Sequence, residues 1–184
     1  LALHMDGARM LNAVAATGTS AKAFAQECDS AWIDLSKGLG CPIGAVLVGS
    51  KAFIEESWRW KHQFGGAMRQ AGIIAAAGVH AFTHHVERLS DDHQNAKRLA
   101  QGLMQIPVIE VDPEEPETNM VFFDVHGTGM DNFEMSERLL AKGVRIGAGY
   151  GPRDLMRAVT HLDVDGAGID TALAAVRDVA AGRD

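Results

Sequence analysis

The sequence predicts an α/β chain, a sheet-bearing domain followed by a small α+β domain, and three observations carry that expectation. Two short apolar runs, Leu1 to Leu3 and Ala31 to Leu35, each give way abruptly to charged residues. Strands of a parallel sheet end in this manner where they border a crevice. A third run, Ile43 to Val48, is continuous and apolar, as expected of a strand buried on both faces. Only seven residues separate it from Leu35, too few for a helical crossover, so the two are expected to pair antiparallel. Beyond residue 100, short strands alternate with helices, the pattern of a separate α+β lobe. The expected division is therefore 1–100 and 101–184.

Taken in order, Leu11 to Ala16 reads as a short helix that Gly18 ends, and Ser20 is placed to cap a second helix over Ala21 to Gln26. The strand Ala31 to Leu35 and its partner Ile43 to Val48 follow. Lys51 to Trp60 reads as a helix whose aromatic residues, Phe53, Trp58 and Trp60, are expected in the core or, failing that, at a subunit contact. Gly65-Gly66 breaks it. One long helix is expected from Arg69 to about Leu103, rich in small residues at first and charged later. Then come a strand at Val108 to Val111, an acidic proline loop from Asp112 to Glu117 and a strand at Asn119 to Val125. A helix over Asp131 to Lys142 has Gly143 as its terminating glycine. Strands at Val144 to Ile146 and Met156 to Val159 precede a last helix from about Ile169 to Ala181.

Composition narrows the function. With 184 residues, 47% of them hydrophobic, the chain can bury a core. A formal charge of -7 without a basic block argues against nucleic acid as a partner. Two cysteines, Cys28 and Cys41, are no disulfide framework and suit a reduced, cytoplasmic setting, with Cys41 as a small buried filler. No apolar run approaches the roughly 20 residues of a membrane span, and no signal-peptide pattern is present.

The chemistry centres on Ile33-Asp34-Leu35-Ser36-Lys37-Gly38-Leu39-Gly40-Cys41-Pro42. A lysine just past a strand end, in a glycine turn that lets another group approach, can be partly desolvated and act as a nucleophile. The plain alternative is a surface lysine in a turn. Its upstream counterpart is His4-Met5-Asp6-Gly7-Ala8-Arg9, which also follows an apolar run and also ends it in charge. Lysine and acid at neighbouring strand ends are what pyridoxal 5'-phosphate needs: an amine to form the Schiff base and a carboxylate to keep the pyridine nitrogen protonated.

These two segments, at this interval, resemble the L-threonine aldolases of the low-specificity or L-allo-threonine type. That family lies in the β-eliminating lyase group of pyridoxal phosphate enzymes, with the aspartate-aminotransferase-like fold (fold type I), and the likeness runs along nearly the whole chain. The resemblance implies retro-aldol cleavage of a β-hydroxy-α-amino acid to glycine and an aldehyde. It also implies a further N-terminal half ahead of the His-x-Asp motif, so that this chain corresponds to a C-terminal portion. Its alternatives are β-elimination by a related lyase on the same scaffold and an inactive fragment that needs an N-terminal partner.

By the same resemblance Lys37 bonds the cofactor and Asp6 pairs with its ring nitrogen. Arg9 contacts phosphate or substrate carboxylate, and is expected on one helix face with Asp6 if helix begins there. His4 lies on the same sheet face as Asp6 and would tune it by a hydrogen bond, or is a satisfied core histidine. Arg157, in Arg-x-Val-Thr-His, binds the substrate α-carboxylate; its alternative is a structural salt bridge within the small domain. Lys61 and Arg69 flank the Gly65-Gly66 turn and are expected to reach the cofactor of a neighbouring subunit in a homodimer or homotetramer, or else to be a solvated basic pair. His80, His84 and His85 tempt a metal reading, but no carboxylate ligand stands at matched spacing, so no metal is expected.

Overall fold

A computed structural model describes residues 1–183, which form two compact units, one ending at Ser90 and the other starting at Asp91. The division falls nearer the start of a helix than the position near residue 100 expected from the sequence.

The first unit is built on a three-stranded sheet in the order β1-β2-β3, with β1 at His4–Gly7, β2 at Ser30–Asp34 and β3 at Ala45–Gly49. β1 and β2 run parallel, Asp6 opposite Trp32. β3 pairs antiparallel to β2, Val46 opposite Ile33, as the short connection required. Gly7 is dictated by that pairing, because a Cβ there would stand 2.3 Å from the Trp32 carbonyl oxygen. The helices α1 (Met10–Thr17) and α2 (Ala21–Gln26) connect β1 to β2. Ser20 caps α2 as expected, accepting from the Ala23 N–H at 3.2 Å. The core is small: Met10, Leu11, Leu35, Leu39, Cys41 and Leu89, with Ala81, close over one another.

Four expectations fail in this unit, each for a physical reason. The first strand begins at His4 rather than in the apolar run Leu1–Leu3, so Asp6 sits within β1 and not beyond it. β3 is an edge strand with one neighbour, and Val46, Leu47 and Val48 are 37%, 40% and 37% exposed rather than buried on both faces. The helix α3 (Lys51–Gln63) forms behind its Ser50 cap, yet Phe53, Trp58 and Trp60 are exposed rather than in the core.

The single long helix is in fact two, α4 (Gly72–His84) and α5 (Leu89–Leu103). His85 caps α4 and its ring Nδ1 lies 2.7 Å from the Leu39 carbonyl oxygen, which ties the helix end to the lysine turn. The chain restarts at Leu89, buried in the first core, and Asp91 and Asp92 favour the new helix by sitting in its first turn.

The second unit is an antiparallel sheet in the order β4-β5-β7-β6: β4 at Glu110–Val111, β5 at Met120–Asp124, β6 at Gly147–Tyr150 and β7 at Leu155–Val159. The third of these in chain order lies three residues beyond the expected Val144–Ile146, because Gly143 and Val144 are still closing the preceding helix through their N–H groups. That helix, α6 (Asn132–Ala141), is capped by Asp131 accepting from Glu134 N–H, and Gly143 follows at φ 79°. The final helix, α7 (Gly166–Ala180), starts behind Asp165. Strand alternation sends Val121 and Phe123 of β5 and Met156 and Ala158 of β7 into a core with Leu103, Met135, Leu139 and Val176. Each large apolar side chain buried there contributes about 1.5–3 kcal/mol. The opposite face of β7 carries Arg157 and Val159, both partly open.

Candidate active site

Lys37 stands where β2 gives way to a tight turn closed by the Gly40 N–H to the Lys37 carbonyl (2.9 Å) and the Cys41 N–H to the Leu35 carbonyl (2.9 Å). Gly40 takes φ 69°, a conformation that suits glycine. Gly38 is closely packed: a Cβ there would lie 3.0 Å from the Leu89 side chain and 3.4 Å from the Asn12 side-chain oxygen. The lysine is thus carried on a turn packed from below.

Its amine lies 3.0 Å from Asp34 Oδ2 and 5.4 Å from the centre of the Trp32 ring, with the lysine side chain 37% exposed. Asp34 is itself fixed, accepting from the Ser36 N–H and the Ser36 hydroxyl, both at 2.7 Å. Burial pushes the Asp34 carboxyl up, but hydrogen bonds from Ser36 and Lys37 and the lysine charge outweigh it and hold the group below the usual carboxylate range. Neither Asp34 nor Ser36 was expected at this site. The signal was present as Asp-x-Ser at a strand end, a spacing that favours a local side-chain turn.

On the adjacent strand β1, Asp6 is exposed, and its Oδ1 accepts from the Ala8 N–H at 3.0 Å. That bond turns the chain out of the strand and delays helix to Met10. Arg9 is consequently the residue before α1, with φ -130° and ψ 28°, and not a helical neighbour of Asp6. His4 is exposed and its Nδ1 lies 2.8 Å from the Ser30 hydroxyl; it pairs with Ser30 rather than with Asp6, and it is not a core residue. The small cleft between β1, β2 and the turn, lined by Gly7, Arg9, Asn12, Asp34 and Gly38, measures about 10 Å³, and neither Lys37 nor Asp6 lines it.

Lys61 and Arg69 are both exposed. Lys61 Nζ lies 4.9 Å from the centre of the Trp58 ring, and the Gly66 N–H closes on the Lys61 carbonyl at 2.8 Å, with Gly65 at φ 73°. Neither residue makes an ion pair among the described residues. His80 packs its ring against those of His84 (4.5 Å) and His85 (5.1 Å), while among the described residues no group of three or more His, Cys, Asp or Glu is placed to hold a metal. Cys41 is buried, which pushes its thiol up.

In the second unit Arg157 forms no ion pair among the described residues. Its guanidinium carbon lies 3.8 Å from the centre of the Tyr150 ring, and its Nε is buried without a hydrogen-bond partner. The alternative of a salt bridge within this unit is therefore set aside.

Comparison with known proteins adds to this geometry. A family model described as beta-eliminating lyase matches residues 1–127. The low specificity L-threonine aldolase of Escherichia coli (strain K12) is 45% identical over 165 residues, covering 89% of this chain and 46% of that protein. Low-specificity L-threonine aldolase 1 of Arabidopsis thaliana is 39% identical over 160 residues, 86% of this chain and 44% of the relative. The chain thus spans about half the length of the curated relatives it matches. A crystal structure from Exiguobacterium sp. 255-15, provisionally named an aromatic amino acid beta-eliminating lyase/threonine aldolase, superposes with a TM-score of 0.76 at 24% identity. It covers 97% of this chain and 52% of its own. A provisionally named L-allo-threonine aldolase from Listeria monocytogenes gives 0.74 at 21% identity with the same coverage. Both likenesses show the fold, that of a partial large domain with a small domain after it.

Proposed function

Since this chain belongs to the beta-eliminating lyase family, we propose that it is the lysine-bearing part of a pyridoxal 5'-phosphate-dependent aldolase. The enzyme cleaves L-threonine, L-allo-threonine or a related β-hydroxy-α-amino acid to glycine and an aldehyde. One observation carries this reading: Lys37 is held on a glycine turn packed from below at the end of β2, beside a parallel strand that presents Asp6. The donor set fits the cofactor: an amine for its aldehyde carbon, a carboxylate for its ring nitrogen, and exposed or half-exposed cations for its phosphate.

When bound, the cofactor supplies a protonated pyridine ring that accepts the electron pair of the breaking Cα–Cβ bond. The chain's own residues do the rest. Lys37 would hold the cofactor through its amine, and Asp34, kept below the usual carboxylate range, would pair with that amine in its charged form. Asp6 keeps the ring nitrogen charged, with its second oxygen open once Oδ1 has taken the Ala8 N–H. Arg157 takes the substrate carboxylate, and fixing that group orients the bond to be broken. Arg9 is the second cation for phosphate or carboxylate. His4, anchored by Ser30, borders Asp6 from the same strand.

The test is borohydride reduction of the loaded enzyme with peptide mapping, together with product analysis from L-threonine. Label on Lys37 with glycine and acetaldehyde as products is expected. A 2-oxo acid with ammonia would assign β-elimination instead, label on another lysine would end the assignment, and no uptake of cofactor would mark an inactive fragment.

The exposed aromatic helix α3 and the turn after it support a homo-oligomer, dimer or tetramer, in which Lys61 and Arg69 serve the partner's site. In the whole enzyme, Arg69→Ala mixed with Lys37→Ala is then expected to regain activity. Each hybrid dimer would hold one site with both residues intact. Mixtures no more active than either parent would place Arg69 in its own chain's site or in none.

A further inference from the structure

Gly147-Ala148-Gly149-Tyr150 has no function assigned so far, and its geometry is unusual. β6 pairs with β7 through Gly147 opposite Arg157 and Tyr150 opposite Leu155, with an irregularity between them. Gly149 supplies that irregularity at φ 79°, a backbone state that side chains resist. Gly147 supplies space: a Cβ there would meet the Tyr150 hydroxyl oxygen at 2.8 Å and its ring carbon Cε2 at 2.9 Å. The ring of Tyr150, the one tyrosine of the chain, is thereby laid over Gly147 and against the Arg157 guanidinium at 3.8 Å. Its hydroxyl makes no hydrogen bond among the described residues, so the ring face and not the phenol does the holding.

We propose that Tyr150 is a positioning residue for carboxylate recognition, its ring fixing the plane of the Arg157 guanidinium before substrate arrives. The inference rests on the carboxylate role given to Arg157 above. An arginine side chain has many rotamers to lose, and planar, two-point recognition of a carboxylate demands one of them. A stacked aromatic face imposes that restriction in the free protein, so less ordering is left for the binding step. The two glycines are the means: one makes room for the ring and the other turns the chain so that the ring points there.

Two measurements test it. In the 184-residue chain, ring-current shifts should move the Arg157 Nε–H resonance upfield of the other arginines. Tyr150→Phe should keep that position and Tyr150→Leu should lose it. In the active, cofactor-loaded enzyme, Tyr150→Leu and Gly147→Ala should raise KM for L-threonine about 3- to 10-fold with kcat within about twofold, and Tyr150→Phe should restore KM. Unchanged KM in Tyr150→Leu, while Arg157→Leu raises it strongly, would overturn the inference and leave the carboxylate assignment standing. Unchanged KM in Arg157→Leu would overturn both. A fall in kcat at constant KM for Tyr150→Leu would also overturn it, because a ring that orders the free guanidinium before substrate arrives acts on carboxylate binding, whereas orienting the bond to be broken is the role given to Arg157 itself.

Discussion

Lys37→Ala is expected to abolish covalent attachment of pyridoxal 5'-phosphate and to lower turnover by on the order of 10⁴-fold or more, since the variant loses the amine that would anchor the cofactor. The loss should be specific to chemistry. Lys37 sits 37% exposed at the end of a turn that its backbone closes, and alanine leaves the bonds from Gly40 and Cys41 in place. Melting temperature should therefore barely move. The one partner left behind is Asp34, which keeps both hydrogen bonds from Ser36 and so is not stranded. Added small amines should recover part of the activity if only the amine is missing. A variant that retains covalent cofactor or more than about a tenth of turnover would place the nucleophile elsewhere.

The second large effect is at Asp6. Asp6→Asn is expected to leave the cofactor bound but to lower kcat by about 10²–10³-fold, the scale for removing one preorganised electrostatic partner of a developing charge. The isosteric amide can still accept from the Ala8 N–H, so the local turn survives and folding is not the confounder. Loss of the carboxylate charge is the only change at the ring nitrogen. The visible absorbance of bound cofactor should persist at normal stoichiometry while steady-state turnover collapses. Near-normal turnover in this variant would remove Asp6 from the mechanism.

Much of the fold was legible where its signals are local. Ser20, Asp131 and Gly143 announce helix ends by side-chain and backbone rules that act within four residues. The antiparallel β2–β3 pairing followed from a connection too short for anything else. The misreadings have the opposite origin. Nothing in the periodicity of 69–103 marks a break at His85, because the break is made by a carbonyl 46 residues away, at Leu39. Arg9 would share a helix face with Asp6 only if helix began at Asp6; in the structure that carboxylate accepts from the Ala8 N–H and the helix starts at Met10. Asp34 does not stand out in the strand Ala31 to Leu35, although it is the direct partner of the Lys37 amine. Apolar character in β3 and α3 was visible, whereas their exposure was not, because burial is set by what packs against a segment and not by its own composition.

The two cores differ in a way that bears on when each part of the molecule opens. The second unit closes over strands and helices whose central side chains, Phe123, Met135, Leu139 and Met156 among them, are wholly buried. The first closes over a few residues around Leu35, Leu39 and Leu89, beside an edge strand open to water. Backbone amides of β5 and β7 should consequently trade their hydrogens for deuterium only when the unit unfolds as a whole, whereas those of β3 and the Lys37 turn should do so through small local openings. Lys37 thus rides on the more yielding unit and Arg157 on the stiffer one. Binding at the lysine turn would then be felt first as slowed exchange in β3, well before any change in the slowest amides of β5.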